Sequence, residues 1–417
     1  MLTPNQILNA AEKIGTPFYI YDANIIKKQY QTLRSALGGY ADIFYSIKAN
    51  PNIAICQILK SMNAGAEVCS EYEFYAAIKA GFQSSHLIVV GPAKSEKLIR
   101  LSLIGQVYAI VCESLAEYKK ISDLAAELGV MARVALRINP HFYSKTALLK
   151  MGGKPSQFGI DEDIVFKNIH YFKNMPHVKL LGIHVYNGTR ILDAHTVYEN
   201  TKSIFAIARE FSKAFQSELE MVDIGGGIGV PYYDNEDFFD FKKLSEWIIP
   251  ELKSFTDEFK NARIILESGR LLVAEAGAFV SRVMDVKTSK QEKFIVTDGG
   301  TNCHMAAVGI GGVVKRNFPT RLVTHRYQNN ASENLHSYHI TGPLCTPGDL
   351  LSKSVLLEEA IPGDLIVIDR SGAYGPTASP VNFLSHGYPS EVLIDQENIQ
   401  LIRRKDSLDD FFQNQIF

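Results

Sequence analysis

The sequence has no excess of charge of either sign and no long apolar run. It carries 43 lysine and arginine residues against 45 aspartate and glutamate residues, a formal net charge of −2. Nucleic acids and anionic membranes are bound through concentrated positive charge, so the composition predicts neither partner. No apolar run approaches the roughly 20 residues of a membrane-spanning helix, and the first residues lack the basic and apolar parts of a signal peptide. We therefore expect a cytoplasmic protein.

Paired cysteines are also lacking. The chain has 417 residues, of which 46 % are hydrophobic, and this is enough for one domain of roughly 200–250 residues and a smaller one. An odd number of scattered cysteines without a C-x-x-C pair predicts neither a disulfide framework nor a metal site, and suits a reducing compartment. These cysteines are Cys56, Cys69, Cys112, Cys303 and Cys345.

From about residue 40 to 270, short apolar runs alternate with amphipathic stretches. Helices are predicted over 71–80 and 115–128, closed by Gly81 and Gly129. Eight strands alternating with helices over this length favour an α/β fold, a (β/α)8 TIM barrel, with a doubly wound sheet as the alternative. The predicted strands are 42–47, 65–69, 86–90, 108–112, 132–138, 180–185, 220–224 and 263–267.

After residue 270 the pattern becomes that of a β domain. Apolar segments such as Leu365–Ile368 follow turns such as Pro362-Gly363-Asp364. We expect a barrel over 30–275 and a C-terminal all-β domain formed by 276–417 together with 1–29. The apolar strand at 17–21 by itself would suit either domain.

Lys48 ends a short buried strand that contains Ile43, Phe44 and Tyr45. Lysine is rarely buried, because its charge is costly to desolvate. Desolvation lowers the pKa of an amine and makes it a nucleophile, which predicts a chemical role. The alternative is a lysine whose ammonium group reaches solvent from the strand end.

Three other predicted strands also end in polar or glycine-rich motifs, and a barrel brings such strand ends together. Gly225, Gly226 and Gly227 form a phosphate cradle or a tight turn. Glu267 either favours protonation of a pyridine nitrogen or forms a salt bridge with Arg270, and His184 either stacks on a ring or is structural. With the strand-end lysine, these residues fit pyridoxal 5′-phosphate.

The β-like region adds two candidates. Cys345 lies between two turn elements, where its thiol can donate a proton to a carbanion, or it is a buried small hydrophobe. Tyr374 lies in a glycine-rich turn, where its hydroxyl either binds phosphate or packs.

These motifs, in this order from Pro17 to Phe383, resemble the fold-type III pyridoxal-phosphate decarboxylases, which include diaminopimelate, ornithine and arginine decarboxylases. The motifs are Tyr-Ser-Ile-Lys-Ala-Asn, His-Val, Gly-Gly-Gly-Ile-Gly, Glu-Ser-Gly-Arg, Gly-Pro-Leu-Cys-Thr-Pro-Gly-Asp and Gly-Ala-Tyr. The resemblance implies a barrel with a β domain, α-decarboxylation of an amino acid, and a homodimer. In this family, the Cys and Tyr motifs complete the partner subunit's site.

The resemblance also implies a role for each candidate residue. Lys48 holds the cofactor as a Schiff base and, with Cys345 and His184, is expected to be catalytic. The cofactor would be bound by Lys48, His184, Gly225, Gly226, Gly227, Glu267, Arg270 and Tyr374, with Arg137 supporting the histidine. The substrate would be bound by Arg270, Asp349 and Arg190.

Departures from the diaminopimelate decarboxylase pattern concern the substrate. Ser268 stands where those enzymes have proline, and the segment from Asp298 runs on to Val308–Val314 without their Arg-Pro-Ala-Leu-Tyr motif. The insert at 150–160 resembles a branch that acts on modified amino acids, such as carrier-bound glutamate in butirosin assembly or substrates of siderophore pathways. We expect a modified, acylated or carrier-linked amino acid, with diaminopimelate as the alternative.

Two other functions stay open on this sequence. An alanine-racemase-like isomerase shares the barrel, but that family pairs the ring nitrogen with arginine and lacks the Cys345 motif. A non-catalytic pyridoxal-phosphate carrier protein would lack the β domain. Glu267 and the length of the chain argue against these two alternatives.

Overall fold

The computed structural model describes residues 2–142, 149–150, 153–308, 316–326 and 334–416. The chain forms two compact units. The first contains Lys27–Val230 and Asp237–Leu271, and the second contains Met1–Ile26, Pro231–Glu236 and Leu272–Phe417. The expected barrel range of 30–275 differs from the first unit mainly at Pro231–Glu236, where Tyr232 stacks on Phe318 of the second unit at 4.4 Å between ring centroids.

The first unit is a closed barrel of eight parallel strands. Each predicted strand is present, and the eighth pairs with the first, so the doubly wound alternative is wrong. In chain order, the barrel strands are Asp42–Ser46, Gly65–Val68, Leu87–Val89, Ala109–Cys112, Ala132–Asn139, Val178–His184, Met221–Asp223 and Arg263–Ser268.

Helices connect the barrel strands, and their ends follow local rules. Ser70 and Ser114 cap two helices by accepting hydrogen bonds from the third backbone amide. Gly81 and Gly129 end the same helices with φ of 92° and 64°, as the sequence predicted. The helices are Ala23–Ala36, Ile53–Ser61, Glu71–Ala80, Glu96–Ile104, Leu115–Leu128, Glu162–Lys167, Ile169–Lys173, Ala194–Phe215, Phe241–Glu258 and Arg270–Val273.

Two short strands add to the barrel unit beside the insert. Ile160–Asp161 pairs in parallel with the end of the fifth barrel strand, and Leu149–Lys150 pairs antiparallel with a third short strand, Gly188–Thr189. The rest of the predicted insert at 150–160 is described except for 151–152. The predicted run Val308–Val314 lies outside the described residues beyond Val308.

The described residues of the second unit form a sheet of nine strands. Phe18–Asp22 joins it, because this strand pairs with both Gly277–Ser289 and Ser390–Asp395. Helices at Pro4–Ile14 and Leu408–Phe412 accompany the sheet. The other strands are Glu292–Thr297, Thr320–Val323, His336–Thr341, Leu350–Leu357, Leu365–Ile368 and Asn398–Arg403.

Among the described residues, every helix is too short or too polar to cross a bilayer. The barrel interior is instead filled by alternating apolar side chains from its strands. Its central cluster contains Phe44, Ile88, Val90, Ala109, Val111, Ala135, Leu181, Met221 and Ile265.

We expect Ile265→Ala to lower the free energy of unfolding of the barrel by about 2–5 kcal/mol, because Ile265 is fully buried in this cluster. Trp247, the only tryptophan, lies in the same unit, so its fluorescence follows urea unfolding of the barrel. Ile104→Ala is the matched control: Ile104 is 66 % exposed, and its loss should change stability by less than about 0.5 kcal/mol. Equal effects would contradict the packed interior.

Candidate active site

The carboxyl ends of the barrel strands bring charged side chains together. Lys48 lies in the 3-10 turn Ile47–Ala49 after the first strand, and its Nζ is 2.5 Å from Oε1 of Glu67 at the end of the second strand. His184 ends the sixth strand, and its Nε2 lies 3.2 Å from Oε1 of Glu267 on the eighth. As expected for a barrel, the carboxyl ends of its strands bring together side chains that are distant in the chain.

The electrostatics of Lys48 differ from the sequence expectation. Burial favours the neutral amine, but the carboxylate of Glu67, with Cys69 and Glu267 next, holds the pKa of Lys48 well above its usual value. The prediction that burial depresses this pKa is wrong for the protein alone. The Lys48 side chain is still 39 % exposed, whereas that of Glu67 is 1 % exposed, so the amine stays accessible beside a buried counter-charge.

Two more buried carboxyl groups lie at the same end. Asp223 ends the seventh strand, and the candidate ligand atoms of His184, Asp223 and Glu267 all lie within 4.8 Å of one another. That spacing would also suit a metal ion, but an ammonium group beside the cluster and the His184–Glu267 pairing favour an organic cofactor. Several of these polar atoms, Glu67 Oε2, His184 Nδ1 and Asp223 Oδ2, are buried with no hydrogen-bond partner in the described chain.

The glycine motif is required by close packing. A β-carbon on Gly226 would lie 1.8 Å from the Glu267 carbonyl oxygen, and one on Gly227 would lie 2.0 Å from that of Gly188. The Gly225 N–H donates to Asp223 Oδ1 at 2.8 Å, so this amide is already engaged. Within the described residues, the N–H groups of Gly226 and Gly227 have no acceptor and remain available to an anion.

Arg137 is held in place by two contacts. Its guanidinium donates to Glu113 at 2.8 Å, and its central carbon lies 4.7 Å from the ring centroid of Phe158. Gly159, the next residue of the insert, donates its N–H to the other oxygen of Glu113 at 3.0 Å. The end of the insert is thereby attached to the charged end of the barrel.

Two predicted arginines flank these motifs in the barrel unit. Arg270 begins the short helix after Gly269, and a β-carbon on Gly269 would lie 2.8 Å from that of Ala49, beside Lys48. Arg190 has a φ of 58°, and its Cα would lie 3.0 Å from a β-carbon on Gly229, so its backbone packs against the glycine segment.

The second unit holds the remaining predicted residues. Cys345 is exposed, and Tyr374 has a φ of 54° in its glycine-rich turn. Asp349 is 3 % exposed, and its two oxygens accept hydrogen bonds from the N–H groups of Thr301 at 2.7 Å and Leu344 at 2.8 Å. These contacts fix the turn that carries Cys345.

Sequence reasoning missed two residues of the site. Glu67 received no role, although it is the next-to-last residue of the second barrel strand and so lies near the same end of the barrel as Lys48. Asn187, three residues after His184, is 6 % exposed, and both atoms of its amide lack partners in the described chain. Its position in the chain, between His184 and the glycine motif, could have indicated that Asn187 belongs to the site.

Comparison with known proteins identifies this arrangement. Residues 23–274 match the family described as pyridoxal-dependent decarboxylase, pyridoxal binding domain. The chain is 35 % identical over 412 residues to the L-glutamyl-[BtrI acyl-carrier protein] decarboxylase of Niallia circulans, covering 99 % of this chain and 96 % of that protein. It is 30 % identical over 401 residues to the diaminopimelate decarboxylase of Campylobacter jejuni, covering 96 % of each.

Solved structures agree with these relatives. The structure of diaminopimelate decarboxylase from Helicobacter pylori complexed with L-lysine matches with a TM-score of 0.86 and 29 % identity, over 97 % of this chain and 98 % of that one. The comparisons confirm the predicted cofactor and reaction class, and they favour decarboxylation over the isomerase and non-catalytic alternatives. The chain therefore belongs to the pyridoxal-phosphate-dependent amino-acid decarboxylases of fold type III, which are carbon–carbon lyases.

Proposed function

We propose that this decarboxylase acts on an acylated or carrier-linked amino acid rather than on free diaminopimelate. The observation that carries the proposal is the match over 412 residues to the Niallia circulans enzyme, whose name gives a glutamyl carrier protein as its substrate. The sequence departures described above support the same choice. Identity to the diaminopimelate decarboxylase of Campylobacter jejuni is lower, at 30 %.

The segment after Asp298 supports this substrate choice. In the second unit, Asn302 and His304 of this segment are 1 % and 0 % exposed, and His304 Nε2 lies 2.9 Å from the Ser371 hydroxyl. The described part of the segment, to Val308, therefore carries no exposed cation for a substrate's distal carboxylate. Loss of such a charge-assisted pairing weakens binding of a dicarboxylic substrate. Arg190 is the residue that would restore the pairing with the distal carboxylate.

The residues at the barrel end fit pyridoxal phosphate. Lys48 offers an accessible amine, the free amides of Gly226 and Gly227 suit a phosphate, and the unpaired Nδ1 of His184 is a buried polar atom that a ligand can satisfy. Glu267 offers a buried carboxylate for the ring nitrogen. When bound, pyridoxal phosphate supplies an aldehyde for the substrate amine and a ring that takes up the electron pair left by departing CO₂.

The protein's own residues then have distinct tasks. Glu67 stabilises positive charge on Lys48 through an ion pair of 2.5 Å. For Glu267, burial opposes ionisation, but His184 together with the charges of Lys48 and Arg137 lowers the pKa of Glu267, so its charge is available to a protonated ring nitrogen. Cys345 is exposed and serves as a proton donor to the carbon that loses CO₂.

We also propose a homodimer in which Cys345 and Tyr374 of each subunit complete the partner's site. The support is the family resemblance and the exposure of Cys345. A cytoplasmic location is proposed on the five cysteines, which are all free thiols.

We expect borohydride to fix pyridoxal phosphate to the peptide that contains Lys48. The pH at which this fixation is half-maximal should fall in Glu67→Gln, because the charge that holds the Lys48 pKa high is removed. The measurement is the initial rate of fixation to apoenzyme across pH, followed by peptide mapping. Glu71→Gln, which removes a partly exposed carboxylate paired with Lys97, is the control and should leave the midpoint unchanged. Labelling elsewhere, or a midpoint that rises in Glu67→Gln, contradicts the assignment.

Mixing inactive Lys48→Ala with inactive Cys345→Ala should restore activity. Half of randomly formed dimers are mixed, and each mixed dimer has one intact site, so about a quarter of the native activity should return. Subunit exchange is verified with differently tagged subunits. Absence of recovery in proven mixed dimers would indicate sites that are complete within one chain.

We expect kcat/KM on free meso-diaminopimelate to fall below about 10⁴ M⁻¹ s⁻¹, an ordinary value for a native substrate. Kinetics on a glutamyl-carrier protein should give a value roughly 100-fold higher, since the described stretch from Asp298 to Val308 contains no lysine or arginine to pair with a distal carboxylate. The same glutamyl group as a short thioester separates recognition of the acyl group from recognition of the carrier. Efficient turnover of free diaminopimelate would refute the substrate proposal but not the reaction class.

A further inference from the structure

The carboxyl group of Asp223 is buried at the active site, and the roles assigned so far do not use it. Asp223 is 0 % exposed at the end of the seventh barrel strand. Its Oδ1 accepts the Gly225 N–H, and its Oδ2 has no partner in the described chain. A carboxylate oxygen left in this state is costly, because burial removes the water that would solvate its charge.

Charged and titratable groups face Asp223 from four other strands. His184 lies opposite it in the register of the sixth strand, and Glu267 approaches from the eighth. Glu67 acts from the second strand and Arg137 from the fifth. Arg137 is already paired with Glu113, and His184 with Glu267, so among the described residues no cation pairs with Asp223.

We infer that Asp223 is protonated in the folded enzyme and acts as a neutral positioning residue between Gly225 and the ionised Glu267. Two buried carboxyl groups this close do not both ionise. Glu267 is paired with His184, and this contact stabilises a negative charge on Glu267. The proton therefore resides on Asp223. The protonated Oδ2 becomes a hydrogen-bond donor, while Oδ1 still accepts from the glycine turn.

The directions in which the pKa values of Asp223 and Glu267 are shifted agree with this geometry. Burial, followed by the charge of Glu267, raises the pKa of Asp223 well above its usual value. Burial opposes ionisation of Glu267, but His184, with the charges of Lys48 and Arg137, lowers its pKa. A neutral Asp223 thus leaves one negative charge for the ring nitrogen, which is the role proposed above for Glu267. The consequence for the cofactor rests on that proposal; the protonation of Asp223 does not.

The test is the pH dependence of stability in Asp223→Asn, measured as the thermal midpoint of the holoenzyme from pH 5 to pH 8. Asparagine has the shape of a protonated aspartate and retains the acceptor for Gly225. Folding of the native protein takes up a proton at Asp223, because the unfolded carboxyl has an ordinary pKa. The native protein therefore loses stability as pH rises toward the raised pKa, and the midpoint of Asp223→Asn should rise relative to it.

Asp240→Asn is the matched control. Asp240 is an exposed helix cap that accepts the Lys243 N–H at 3.0 Å, and this hydrogen bond is the first cause of its lowered pKa. Above pH 5, Asp240 is ionised in both the folded and the unfolded protein. The difference in thermal midpoint between Asp240→Asn and the native protein should therefore be independent of pH. If the thermal midpoint of Asp223→Asn relative to the native protein does not change with pH, or falls as pH rises, the inference is overturned.

Infrared spectroscopy of the native protein is the second measurement and needs no folded Asp223 variant. At pH 8, a carbonyl band of a protonated carboxyl group is expected. Glu73, whose pKa burial raises to about 7, is the other carboxyl group among the described residues with a raised pKa, so the spectrum is taken in Glu73→Gln. Absence of the band overturns the inference. Neither readout depends on the substrate or on turnover, so failure here is distinct from failure of the proposed function.

Discussion

Hydrogen bonding between the first and eighth barrel strands is the constraint on which the rest of the site depends. The register places Glu267 opposite Phe44 and Ser268 opposite Tyr45, so Lys48 and Glu267 emerge at the same end of the barrel. Gly269 permits this closure, because any side chain there would collide with the turn that carries Lys48. Without this pairing, the lysine and the carboxylate would be far apart on an open sheet.

Closure concentrates charge, and the protein neutralises most of it locally. Arg137 pairs with Glu113, and the ammonium of Lys94, only 1 % exposed, bonds to the carbonyl oxygens of Gly91 and Val111 and to Glu117. A buried polar group without a partner costs about 1–3 kcal/mol. Unpaired buried atoms nevertheless gather at Glu67, His184 and Asp223. Unpaired buried polar atoms lower the stability of the folded protein, and proteins keep them at sites where ligand binding or catalysis requires them.

The insert that departs most from the diaminopimelate decarboxylases is attached to the same charged end. Leu149–Lys150 pairs with Gly188–Thr189, just beyond His184, and Phe158 and Gly159 contact Arg137 and Glu113. The insert and the strand ends that carry the proposed cofactor site therefore share backbone and ion-pair contacts. A change in the insert is therefore expected to disturb Arg137 and the backbone just beyond His184.

The sequence by itself determined the barrel, because alternation of strands and helices is local. Its strand-end motifs indicated the cofactor, and their resemblance to the fold-type III decarboxylases gave the reaction class. The sequence also determined which strand ends carry Lys48, His184, the three glycines and Glu267. Only the tertiary structure decided the charge states. The amine of Lys48 meets Glu67, so its pKa rises where burial alone predicted a fall. Asp349 turned out to hold a backbone turn, and Arg137 to pair with Glu113. Such outcomes depend on which groups from distant segments come within a few ångströms, and no local pattern in the chain encodes those distances.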